Sequence, residues 1–135
     1  AIRRAHDDRP GIVAALHNLA IVASDRRDYA AAFRLYDEAL AIGRELDNRY
    51  GIAFGLTSYG ETMQATGDLA RAVALYEEGL AGFRSIEHAW GISLALTRLG
   101  DAILEQGDAV RAAALQREAW RSAPASATRA RWWTH

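Results

Sequence analysis

The chain repeats itself. At a shift of forty residues it aligns with itself without a gap: "GIVAALHNLAIVASDRRDYAAAFRLYDEALAIGRELDNRY" over 11–50, "GIAFGLTSYGETMQATGDLARAVALYEEGLAGFRSIEHAW" over 51–90 and "GISLALTRLGDAILEQGDAVRAAALQREAWRS" over 91–122. Gly11, Gly51 and Gly91 coincide, as do Leu16, Leu56 and Leu96; Asp28, Asp68 and Asp108; and Ala32, Ala72 and Ala112. Units this alike must adopt one fold and stack on one another. Residues 1–10, "AIRRAHDDRP", align with "AIGRELDNRY", so they read as the end of a preceding unit and the chain as a piece of a longer array.

Each unit reads as two helices. In the second, Ile52, Leu56, Tyr59 and Met63 recur every three or four residues, which is helical spacing. The pattern stops at "TGD", where Gly67 suits a left-handed helix end and Asp68 the cap of the next helix. A second apolar set follows at Leu69, Ala72, Val73, Leu75, Tyr76, Leu80 and Phe83, with Glu77 and Glu78 on the wet side. The break at 87–91 closes the unit. Small residues at Ala20, Gly60 and Gly100 are expected to let the two helices of a unit approach closely, with the set at Ala32, Ala72 and Ala112 reciprocal to them. Gly79 and Gly82 lie within a helix, where each costs about 1 kcal/mol against Ala, and imply close packing or a bend.

Composition narrows the function. A net charge of −1 removes the main electrostatic argument for nucleic acid or anionic membrane. There is no cysteine, hence no disulfide framework and no thiolate metal site. No apolar run approaches the roughly 20 residues of a membrane span, and the first ten residues have no signal-peptide core. All basic side chains other than His are Arg, which with abundant Ala reads as a coding bias.

The motifs resemble the tetratricopeptide repeat (TPR). Unit one supplies Leu16, Leu19-Ala20, Asp28-Tyr29, Ala32, Tyr36 and Ala39-Leu40; unit two Leu56, Tyr59-Gly60, Gly67-Asp68-Leu69, Ala72, Tyr76 and Gly79-Leu80. Unit three supplies Leu96, Leu99-Gly100, Gly107-Asp108, Ala112 and Ala119-Trp120, with Gln116 in the aromatic position. The resemblance implies an all-α, TPR-like solenoid of antiparallel helix pairs forming a right-handed superhelix over 1–122, followed by an irregular tail over 123–135. The period departs from the family's usual length of about 34 residues. The extra residues follow the second-helix Ala-Leu, so that helix is expected to be longer by a turn or more. Long repeats phrased "EALAI.REL" are similar to those of bacterial STAND-type regulators.

The resemblance also implies a concave face lined by the first helices. Its inward positions would be Ala14, His17, Ile21 and Ser24; Phe54, Thr57, Glu61 and Gln64; and Leu94, Thr97, Asp101 and Leu104. His17, Ile21, Phe54, Thr57, Glu61, Gln64, Thr97 and Asp101 are the candidate protein-binding residues. The family's carboxylate clamp is missing, since His17, Ile21, Ser58, Thr97 and Asp101 stand at its positions. Acidic C-terminal peptides are therefore not expected to bind. Phe54 has two readings, a groove contact or packing against the neighbouring unit.

No catalytic constellation is visible. Glu61 and Asp101 read as solvated, and His17 near Asp25 has no placed nucleophile. His6, Asp7, Asp8, Glu87 and His88 fall in turns and make no chelate by spacing. No cofactor, metal or nucleic acid is expected. The tail "APASATRARWWTH" breaks the repeat at Pro124. Its Trp132-Trp133 pair reads as a cover for the last repeat, as a terminus that docks nowhere, or as a stacking contact with a partner or nucleic acid. The expectation is a non-catalytic, cytoplasmic protein- or peptide-binding scaffold, part of a larger bacterial regulatory protein. The alternative is a sensor segment of a multidomain STAND ATPase or cyclase whose chemistry lies elsewhere. A third reading is self-association through exposed repeat ends.

Overall fold

The computed structural model describes residues 9–125, which form six α-helices: α1 (Arg9–Asp25), α2 (Tyr29–Glu45), α3 (Arg49–Ala65), α4 (Leu69–Ser85), α5 (Ala89–Glu105) and α6 (Ala109–Ser122). The expected half-unit at the chain's start, apart from Arg9 and Pro10, and the Trp132-Trp133 tail lie outside the described residues. The helices pair as α1–α2, α3–α4 and α5–α6, and each pair stacks on the next to give an α-helical solenoid.

The five turns share one geometry. Arg27, Asp47, Gly67, Glu87 and Gly107, each twenty residues after the last, have φ of 62°, 50°, 91°, 52° and 96°. The residue after each closes the preceding helix: Asp28, Asn48, Asp68, His88 and Asp108 donate their backbone N–H to Ala23, Gly43, Met63, Phe83 and Ile103 at 2.8, 2.9, 3.1, 3.0 and 3.2 Å. The same residue opens the next helix, its side chain accepting from the N–H three residues on, at 2.9 Å for Asn48 and 3.2 Å for Asp68. The extra length of the unit is divided accordingly. The second helix of the second unit runs to Ser85 and its first helix begins at Arg49, so both are 17 residues long. The breaks between units fall at 46–48 and 86–88, and Gly51 and Gly91 lie inside a first helical turn. Gly91 is needed there because a Cβ would stand 2.2 Å from the Phe83 ring.

The small residues act as close-approach points. A Cβ on Gly60 would stand 2.6 Å from the Tyr76 ring, one on Gly79 2.5 Å from Thr57 Oγ1 and one on Gly82 2.9 Å from Ala53 Cβ. All three contacts bring α3 and α4 together. Between units, Phe33 and Tyr36 of α2 stack on Tyr59 of α3 with ring centroids 5.7 and 5.0 Å apart. First helices also touch across units, α1 on α3 and α3 on α5. Second helices stand further apart and are spanned by long charged side chains, Arg111–Glu77 at 3.2 Å and Arg84–Glu118. The row α1, α3, α5 is therefore the inner, concave side.

Candidate functional site

The concave side divides the expected residues into three groups. His17 and Thr57 are buried, at 4% and 1% exposure, and offer little to a partner. Thr57 donates its hydroxyl to Ala53 O at 2.9 Å and packs on Gly79. His17 is wedged against Gly55, with Nε2 2.5 Å from where a Cβ would stand, and that nitrogen has no hydrogen-bond partner. Burial lowers its pKa, so the ring is neutral.

The second group holds the units together. Arg98 donates to Glu61 at 2.7 Å across units two and three. Gln64 donates to Glu105 at 2.6 Å and accepts from the Tyr76 hydroxyl at 2.7 Å. Burial, then the Glu61 carboxylate, raises the Tyr76 pKa, so this hydroxyl stays a donor. Asp101 accepts from Gln116 at 3.1 Å. The Arg98–Glu61 and Gln64–Glu105 pairs, exposed and worth little individually, fix the register of the neighbouring first helices α3 and α5, while the Tyr76–Gln64 and Gln116–Asp101 bonds join the two helices of one unit.

The third group borders open space. Phe54 is half-buried between units, 5.8 Å from the His17 ring, and also lines a cavity of about 300 Å³ with Val13, Ala14, Asn18, Asn48 and Tyr50. Phe54 thus packs against the neighbouring unit and also borders open space. Thr97, its hydroxyl on Ser93 O at 2.9 Å, lines a second cavity of about 200 Å³ with Trp90, Leu94, Arg98 and Pro124. Val13, Ala14, His17 and Asn18 of the first cavity correspond in the repeat to Ser93, Leu94, Thr97 and Arg98 of the second. Ile21 is half-buried and borders neither.

An aromatic strip lies between the cavities. Phe54 stacks on Tyr50 at 6.1 Å, Tyr50 meets His88 at 5.1 Å and His88 meets Trp90 at 6.4 Å. Tyr50 and Trp90 are 44% and 47% exposed, so each remains partly open to solvent. His88 is held in place as the cap of α5, with Nδ1 accepting from Gly91 N at 2.9 Å, which leaves the neutral ring's proton on Nε2. The sequence reading missed Tyr50, His88 and Trp90. Tyr50 and Trp90 share one repeat position, and Tyr50 precedes Phe54 by a helical turn, so the spacing held the signal.

Among the described residues no group of acidic or His side chains is placed to hold a metal, and no helix is long and apolar enough to cross a membrane. An apolar, partly aromatic concave strip on stacked helix pairs defines a helical-repeat scaffold. The tetratricopeptide repeat model matches residues 6–85, more than half the chain, and the chain belongs to the tetratricopeptide repeat family. No curated protein and no solved structure matches it.

Proposed function

We propose that the chain is a non-catalytic scaffold that binds an extended peptide or protein segment along the concave side. The observation that carries this reading is the aromatic strip Phe54–Tyr50–His88–Trp90, with a cavity at either end. Its chemistry suits apolar or aromatic ligand side chains, because rigid exposed rings bury much area at little entropic cost. Of the earlier candidates, Phe54, His17 and Thr97 border this surface, Glu61 and Gln64 tie α3 to α5 beside it, and Ile21, Thr57 and Asp101 do not line it.

The test is to select peptides from a random display library and titrate them calorimetrically. Selected peptides should carry apolar or aromatic residues and lose at least about tenfold in affinity against Tyr50→Ser or Trp90→Ser chains of unchanged helicity. Affinities insensitive to both substitutions, or selection of acidic C-termini, would overturn the reading. The finer assignment, a cytoplasmic arm of a larger bacterial regulatory protein with its array over 1–122, rests on the phrasing of the long repeat. It is tested by whether the reading frame joins further forty-residue units to a nucleotide- or DNA-binding domain.

A further inference from the structure

The outer side of the molecule carries a cleft of its own. It lies between α4 and α6, has a volume of about 500 Å³ and is floored by Leu80, Leu96, Leu99 and Leu115. Two ion pairs span its rim, Glu77 with Arg111 at 3.2 Å and Arg84 with Glu118.

The repeat shows what a cleft of this kind accommodates. Forty residues earlier, at the junction of the first two units, the floor positions hold Leu40, Leu56, Tyr59 and Leu75. The rim positions there hold Asp37 with Arg71 and Arg44 with Glu78. The rim keeps its charges from one junction to the next, and the floor keeps its leucines at every position but one. The single change of kind is Tyr59, replaced by Leu99.

Tyr59 runs from floor to rim. Its ring is buried and stacks on Tyr36 and Phe33, with centroids 5.0 and 5.7 Å apart. Burial, then the Asp37 carboxylate beside its hydroxyl, raises its pKa, and Arg71 acts in the opposite sense. The hydroxyl therefore stands beside the counterparts of Glu77 and Arg111. In the second junction both outer rings are missing, since Leu99 stands for Tyr59 and Val73 for Phe33.

We propose that the cleft between α4 and α6 binds a tyrosine side chain of a partner protein, its ring over Leu99 and its hydroxyl donating to Glu77. The rim suits this ligand. Its two carboxylates and two guanidiniums cancel in charge, so nothing repays the desolvation of a charged side chain against a leucine floor. A neutral ring gains from burial on the same floor. A carboxylate accepts several hydrogen bonds, so Glu77 keeps Arg111 while it takes the phenol. A phenylalanine would gain the floor and leave the rim bond unmade. The cleft faces away from the concave strip and stands or falls apart from it.

Titration of N-acetyl-tyrosinamide into the isotope-labelled chain, followed by amide NMR, is the experiment. Shifts should gather around Leu80, Leu99 and Leu115, with a Kd on the order of millimolar for a single side chain binding alone. N-acetyl-phenylalaninamide should bind at least about threefold more weakly, and Glu77→Gln should narrow that difference. Leu99→Tyr, which restores the residue of the first junction, should keep its helicity and lose binding at least about tenfold. No shifts at the cleft with the probe at about 20 mM, equal affinity for the two amides, or undiminished binding to Leu99→Tyr would each overturn the proposal. So would shifts confined to Tyr50, His88 and Trp90, which would put the phenol on the concave strip instead.

Discussion

His17 illustrates how far helical phase carries a residue-level reading. Phase places it on the inner side of α1, and it is there; its depth depends on α3, where Gly55 leaves a space that the imidazole fills. Thr57 lies on the expected side of α3 but turns its hydroxyl to the Ala53 carbonyl. A single sequence shows which way a side chain faces, while the partner surface decides whether it is reached by solvent. The buried ring has a consequence in acid. Burial lowers its pKa from the ordinary histidine value of 6.5, so below that pH the unfolded chain takes up a proton that the folded chain refuses. Stability should therefore fall as pH drops below 6.5, by up to about 1.4 kcal/mol per pH unit until the folded pKa is reached. Urea unfolding at pH 7 and pH 5 checks this against His17→Leu, which keeps the other histidines and should lose less. Equal losses in the two chains would show that His17 is not the group responsible.

At the scale of the element, the turns decide the geometry. Gly67 and Gly107 announced themselves in the sequence, being followed by Asp caps. The turns at Asp47 and Glu87 were legible only as breaks between units, and Arg27 carried no signal of its own. These residues occupy the same left-handed conformation, which costs a non-glycine residue about 1–2 kcal/mol, little enough for the flanking helices to impose. Glu87→Gly should stabilise the protein by about 0.5–1 kcal/mol, since relief of this strain outweighs the added freedom of the unfolded chain. Gly67→Ala should cost about 1 kcal/mol through conformation alone, because nothing lies within 4 Å of the added Cβ. Chemical denaturation of the two variants provides the comparison, and a loss of stability in Glu87→Gly would contradict the strain argument.

For the whole molecule, the forty-residue register gave the division into helix pairs, and the resemblance to the tetratricopeptide repeat implied the inner row of first helices. It did not give the aromatic strip, which arises because residues from α3, α5 and the turn between them meet only after units stack. A solenoid holds together by nearest-neighbour contacts, so damage should stay local. Leu96 is fully buried in α5, and Leu96→Ala should cost about 2–5 kcal/mol. Native-state hydrogen exchange should then speed up strongly in α5 and α6 and much less in α1 and α2. Uniform acceleration would mark the units as one indivisible cooperative block. The common turn geometry also bears on how such a gene can change. Losing or duplicating one helix would leave every remaining turn intact, yet it would set a second helix where a first belongs, with its apolar side misdirected. Losing or duplicating a pair restores both turn and face, so recombination can lengthen or shorten this protein in steps of one pair and is penalised at half that step.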